Sequence, residues 1–268
     1  MASSNRNTFG QAASPLAATE KCWSTGEKLL APVQPFGATN GNYFEVTTVD
    51  LLHRLGTSWI KTVVDTDTDG LNVCAVQAAT ASLGPFVRMT NDNNALDNLQ
   101  LQFAGAQTAS TTAAGSKTAW AAFFPGANKD IVMRLRFRVT TVAATDFLLL
   151  GLANVDTTLT NTNALATAEL LGFTKAAATA SMLGNMRTSS TSTTVAAGTV
   201  VINTWHTLEM RLFGVSSVAY GFDGVYAGSS TVTNIPVAGM TPSFAVANAS
   251  TTPASIDIAG CYFGQEVY

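Results

Sequence analysis

From Ile131 to Val139 an apolar residue recurs at every second position: Ile131, Met133, Leu135, Phe137 and Val139. Arg134, Arg136 and Arg138 fill the places between them. Side chains one residue apart point to opposite faces of a strand, whereas a helix repeats every 3.6 residues. The stretch therefore predicts a β-strand with one buried and one wet face. HTLEMRLF repeats the pattern, with Leu208, Met210 and Leu212 inside and Glu209 and Arg211 outside. SFAVANA and SIDIAGCYF, nearer the C-terminus, also read as strands. Short turn sequences (VSS, DG, AGSS, NIP and STTP) separate these runs.

Helix signals are few. VDLLHRLG, residues 49–56, has the length of two turns and ends at Gly56. ATAELLGF, residues 166–173, has helical propensity, but Gly172 and the following Phe173-Thr174-Lys175 make a strand equally acceptable. RTSSTSTTVAAGTV lies between strands and suits an exposed hairpin tip. Many short strands, regular turns and almost no helix predict an all-β sandwich of two antiparallel sheets. With 268 residues, 47% hydrophobic and 12% charged, the chain has enough apolar material for a large core.

Residues 1–42 differ from the rest. Pro15, Pro32 and Pro35 alternate there with Gly10, Gly26, Gly37 and Gly41, and apolar residues follow neither period. This reads as an extended N-terminal arm, with the sandwich expected over 43–268. An arm of this kind buries too little apolar surface by itself to offset its ordering entropy. It is expected to lie on a neighbour, with Trp23, Leu29, Leu30 and Phe36 as apolar anchors.

The formal net charge of -3 gives no electrostatic case for nucleic acid. No apolar run is long enough to span a bilayer, so no membrane is expected as a partner. The opening residues lack the apolar core of a secretory signal, and synthesis in the cytoplasm is expected. Cys22, Cys74 and Cys261 stand far apart and form neither a zinc pattern nor a disulfide framework. They read as reduced, mostly buried thiols.

DTDTDG, residues 65–70, places Asp65, Asp67, Asp69 and Gly70 at the first, third, fifth and sixth positions of a calcium loop. Val76 occupies the twelfth position, where that loop needs a bidentate carboxylate, and the flanks alternate like strands. A hairpin turn is the better reading, although three carboxylates in one loop leave a weaker cation site open. No structural metal and no cofactor are expected.

Catalytic patterns are missing as well. His53 and His206 are the only histidines, and neither has a triad or HExxH neighbourhood. Glu169, Glu209 and Asp257 are scattered and form no compact carboxylate pair on one strand. Trp120, Trp205, Tyr220, Phe222 and Tyr226 have the chemistry to stack on sugars, but large aromatics at strand ends more often pack a core. Arg134, Arg136 and Arg138 have the chemistry to bind phosphate or carboxylate, but pairing with acidic residues on adjacent strands is the plainer expectation. No catalytic residue is assigned.

The order of segments from about residue 56 onward carries a further signal. RLRFRV leads to TDFLLLGLANVDTT, ELLGFTK, NTWHTLEMRLF, VAYGFDGVYAGSSTVTNIP, TPSFAVANAS and SIDIAGCYF. Trp205 before an alternating strand, the Asp223-Gly224 turn, Asn234-Ile235-Pro236 and Ile256-Asp257-Ile258 are its telling pieces. SLGPFVRMTNDNNALDNLQLQF adds a strand, an Asp/Asn-rich turn and a strand. Together they resemble the concanavalin-like (laminin-G-like) jelly-roll domains of tailed-bacteriophage virion proteins. The glucanase members of that family carry an ExDxxE strand, which is missing here.

The resemblance implies a concanavalin-like jelly-roll sandwich with a structural role and no enzymatic activity. The role it implies first is a capsid decoration (cement) protein on the outer surface of the virion. Such a protein binds the major capsid protein and is expected to be a homo-oligomer, with a trimer favoured. The alternative is a carbohydrate-binding module of a tail fibre or adhesin. A glycan-cleaving enzyme would need an acidic pair that the sequence does not display.

Overall fold

Alternation along the chain becomes two stacked antiparallel sheets. The computed structural model describes residues 41–47, 59–64, 72–77, 86–91, 97–103, 123–140, 146–156, 158–161, 164–177, 179–231, 233–248 and 252–267. No helix occurs among them. The residues proposed as arm anchors (Trp23, Leu29, Leu30 and Phe36) lie outside the described residues, as do residues 49–56 with His53, the Asp65–Gly70 segment and Trp120.

Sheet one is eight-stranded. From one edge it runs β15 (Val225–Thr231), β14 (Ser217–Phe222), β13 (Trp205–Phe213), β6 (Lys129–Val139), β17 (Ser255–Val267), β4 (Phe86–Thr90) and β3 (Val73–Gln77). β1 (Gly41–Thr47) also pairs with β17. Sheet two is seven-stranded. Its order is β12 (Thr191–Thr199), β11 (Ser181–Thr188), β10 (Leu170–Lys175), β7 (Asp146–Asn154), β16 (Met240–Asn248), β5 (Asn98–Phe103) and β2 (Trp59–Val64). β8 (Thr160–Asn161) and β9 (Ala164–Leu165) form a separate short pair.

The inner faces carry the expected residues. Ile131, Met133, Leu135, Phe137 and Val139 are fully buried, as are Leu208, Met210 and Leu212. They pack in one cluster with Leu148, Leu150 and Leu152 of β7 and with Phe244 and Val246 of β16. Burying such a stripe from each sheet is the main favourable term holding the layers together. Close approach sets one contact. A Cβ on Gly184 of β11 would lie 2.4 Å from Cγ of Tyr220 on β14, so glycine makes room for the ring that crosses between the sheets.

β17 is the long strand at the centre of sheet one. β6 covers one edge from Ile256 to Val267. The other edge is shared: β4 pairs with Ser255 to Ile258, and β1 pairs with Gly260 to Glu266. The register with β6 shifts between Ile258 and Gly260, a bulge that adds one residue to β17. Before it Ile256 and Ile258 face the core, and after it Cys261 and Phe263 do.

Two turns fit their sequences. Asp223 and Gly224 have φ of 52° and 75° and close the β14–β15 hairpin, as an Asp-Gly pair should. Ser189 and Ser190 have φ of 47° and 67° and close β11–β12 within the Ser/Thr-rich tip. The expected hairpin about Asp65–Gly70 requires correction. β2 pairs with β5 in sheet two, and β3 pairs with β4 in sheet one. The connection therefore passes from one sheet to the other. Alternation says which face of a strand is buried but not which strand lies beside it. The region 166–173, open between helix and strand, ends in β10.

Candidate functional site

The outer face of sheet one is built from β4, β6, β13 and β17. Register brings its polar residues into rows across the sheet. One row runs Trp205, Arg138, Asp257, Arg88. The next is Thr207, Arg136, Gly260, and the one after is Glu209, Arg134, Tyr262.

Asp257 anchors the first row. Its carboxylate is fully buried and takes guanidinium groups from both sides. Arg88 donates from Nε to Oδ1 at 2.7 Å and from Nη2 to Oδ2 at 3.0 Å, a bidentate fork. Arg138 donates to Oδ2 from Nε at 3.0 Å and from Nη2 at 2.5 Å. The hydrogen bonds to Asp257 raise the Arg88 guanidinium above its ordinary pKa, against a smaller opposing effect of burial. Aromatic rings pack against the same guanidinium groups. Arg88 and Arg138 lie over Phe86, 5.6 and 5.4 Å from the ring centroid. Phe86 meets Trp205 edge to face at 5.8 Å.

The third row is closed by charge. Arg134 Nε lies 2.8 Å from Glu209 Oε1, with both side chains buried. This corrects the expectation of a wet outer face: two ionised groups leave water there because each supplies the other's counter-charge. Further along, Arg211 pairs with Asp130 at 2.9 Å, and Asp130 also accepts from the Gly214 amide.

The middle row is different. Arg136 is exposed, and its strand neighbours are Thr207 and Gly260, neither of which is charged. Among the described residues Arg136 makes no ion pair and no hydrogen bond. Its guanidinium lies over the Trp205 ring, 5.4 Å from the centroid, while Arg138 lies 4.8 Å from the same ring. Trp205 Nε1 is buried without a hydrogen-bond partner among the described residues. Of the three arginines of β6, two therefore pair with adjacent strands as expected and one does not.

The remaining chemistry is engaged elsewhere. His206 faces the core between Phe137 and Phe222. Its Nε2 accepts from the Val201 amide at 2.9 Å, which leaves Nδ1–H to donate to Asp223 Oδ2 at 2.7 Å. Asp223 Oδ1 accepts from the Thr207 amide. Both ring nitrogens are thus engaged, Nδ1 in holding the β14–β15 turn against β13 and Nε2 in holding the connection that precedes β13. Glu169 is buried and accepts from Thr188 Oγ1 and the Ser189 amide at the β11–β12 turn. Glu169, Glu209 and Asp257 serve separate local networks. Burial pushes the Cys74 thiol up to about 11 and raises Cys261 further, which disfavours reactive thiolate. Among the described residues no group of three or more His, Cys, Asp or Glu is placed to hold a metal ion.

Of the aromatics, Tyr220 and Phe222 are in the core, Trp205 is half-buried on the outer face and Tyr226 is exposed. Sequence reasoning missed Phe86 and Arg88. Their signal is FVRMT, where Phe86 and Arg88 share the parity opposite Val87 and Met89. A carboxylate between two apolar inward residues, as in Ile256-Asp257-Ile258, also asks for cations on the neighbouring strands.

No family model matches the chain, and no curated protein matches it. Solved structures share the β-sandwich architecture. One is a protein of unknown function from Shewanella oneidensis MR-1, with 13% identity and a TM-score of 0.48, covering 79% of this chain and 88% of that one. Another is a carbohydrate esterase of the Shiga toxin-encoding bacteriophage phi24B, with 18% identity and a TM-score of 0.43, covering 77% and 89%. A third is from botulinum neurotoxin type C, with 7% identity and a TM-score of 0.45. The match covers 77% of this chain but only 42% of the toxin chain. At such identities and scores these likenesses carry no functional argument.

Proposed function

We propose that the chain is a non-enzymatic structural protein of a bacteriophage virion, a capsid decoration protein that binds the major capsid protein on the outer surface of the head. The supporting observation is how the polar groups of the sandwich are used. Asp257, Glu209 and Glu169 are buried and tied to neighbouring strands, and both nitrogens of His206 are engaged. That arrangement favours a rigid scaffold over an acid–base site, since a catalytic pair needs groups free to exchange protons with a substrate. The order of strand segments that resembles virion jelly-roll domains supports the particular role. A trimer and an N-terminal arm, ahead of β1, that lies on the shell belong to the same reading.

A carbohydrate-binding module would want free aromatic faces. Arg136 and Arg138 lie over Trp205, and of the described aromatics considered from sequence Tyr226 is the exposed one. The decoration reading is therefore preferred.

The test mixes the full chain with undecorated heads and measures what co-sediments. Saturable binding at a fixed ratio to the capsid protein is expected. Protein left in the supernatant, together with retention on a glycan array, would favour the carbohydrate-binding alternative. Removing residues 1–40 keeps every described strand, because β1 starts at Gly41, and is expected to weaken co-sedimentation.

A further inference from the structure

We infer that the outer face of sheet one around Arg136 is a docking surface for an acidic segment of a partner protein, and that Arg136 supplies the ionic contact. The inference deepens the decoration reading by naming the surface and the chemistry of its partner. Charge complementarity carries it. Arg88 and Arg138 share one carboxylate, Asp257, and Arg136 has no charged strand neighbour. Arg134 is neutralised by Glu209 and Arg211 by Asp130. Five arginines thus meet three carboxylates, so the face is locally cationic on a chain whose net charge is -3, and Arg136 is its exposed member with no ion pair among the described residues. A local cationic face on an acidic protein steers acidic partners to that face and orients them.

The surroundings prepare Arg136 to bind. A free arginine samples many rotamers, whereas this one rests on the Trp205 ring beside Arg138. Stacking over an aromatic ring leaves the planar N–H edge open, and that edge matches a carboxylate in a two-pronged geometry. Gly260 beside it carries no side chain to screen the guanidinium. A neutral sugar is a poor fit, because guanidinium groups already lie over Trp205 and Phe86. With Arg134, Thr207, Glu209 and Gly260 around it buried, Arg136 is the exposed group of this patch, which suits a carboxylate side chain reaching in from a protein.

The test titrates the full chain with hexaglutamate at low salt and follows the fluorescence that Trp205→Phe removes. A saturable change is expected in the wild type. Arg136→Ala should weaken it by about tenfold or more, and Arg136→Lys by less, since lysine keeps the charge but loses the fork. Raising salt from about 50 to about 500 mM should suppress it. No response, or an equal response in Arg136→Ala, overturns the inference. Tighter binding of oligogalacturonate than of hexaglutamate overturns the choice of a protein partner. Co-sedimentation with heads separates the two layers. If Arg136→Ala binds heads as the wild type does, this surface is not the contact and the decoration reading stands. If the wild type binds hexaglutamate through Arg136 but no heads, the acidic-segment surface stands and the decoration reading fails.

Discussion

The two outer faces of the sandwich solve the same problem in different ways. On sheet two the polar side chains of β5 hold the protein's own backbone. Gln100 accepts from the Leu159 amide at 2.8 Å and donates to the Asp156 carbonyl, while Gln102 accepts from the Asp156 amide and donates to Asn154 and Ser243. Asn98 accepts from Thr160. These amides fasten residues 154–160 over the sheet, and a second apolar cluster of Phe147, Leu149, Leu159, Leu170 and Ala245 forms on that side. On sheet one the outer face is closed by ion pairs instead, and Arg136 is left over. A face that consumes its polar groups within the chain is structural. A face that leaves one charged group unpaired is where a partner is to be sought.

The largest effect should come from the ion pair of sheet one. Glu209→Ala leaves Arg134 buried without its carboxylate and should cost roughly 3–5 kcal/mol in urea denaturation. Replacing both residues with leucine should recover most of that loss. A small loss for the single variant would mean that water reaches Arg134 and that the two faces differ less than described.

The amide ladder of sheet two comes next. Gln100→Ala removes the partners of the Leu159 amide and the Asp156 carbonyl and should cost about 1–3 kcal/mol. Hydrogen exchange at Leu159 should quicken before global unfolding. Unchanged exchange there would show that the covering segment is held by its apolar contacts alone.

The interior between the faces gives a smaller, pH-dependent effect. The folded-state thiol values of Cys74 and Cys261 are raised above the ordinary 9.0 by burial. Folding therefore favours the protonated forms. Their contribution is complete below pH 9 and declines as pH rises toward about 11, the Cys74 value. Melting temperatures between those limits should fall less in a Cys74→Ala, Cys261→Ala variant than in the wild type. Equal falls would place the loss on other groups.

The smallest stability effect belongs to the residue with the proposed functional role. Arg136→Ala should change stability by no more than about 0.5 kcal/mol, because it is exposed and makes no ion pair among the described residues. A loss like that of Glu209→Ala would make Arg136 structural and remove the contrast between the faces.

Much of this was legible in the residues. The alternation through β6 and β13 gave the buried side of each strand, and Asp223-Gly224 gave a turn that only a few residue pairs accept. Pairing partners were not legible, since β2 and β3 alternate as a hairpin would yet join opposite sheets. Burial of charge was not legible either. Arg134 and Arg136 look alike on one strand, and only the strand beside them decides that one meets Glu209 and the other meets Thr207. NLQLQF reads as a strand, but nothing in it says that its amides are buried against the chain's own backbone.

The central claim is that the chain is a head protein whose sheet-one face meets the shell. A near-atomic reconstruction of the virion tests it most directly. The account predicts this sandwich on the outer surface of the capsid, with Arg136 within hydrogen-bond distance of a carboxylate of the major capsid protein. Finding the chain on the tail, or on the head with Arg136 turned to solvent and the opposite face against the shell, would contradict it.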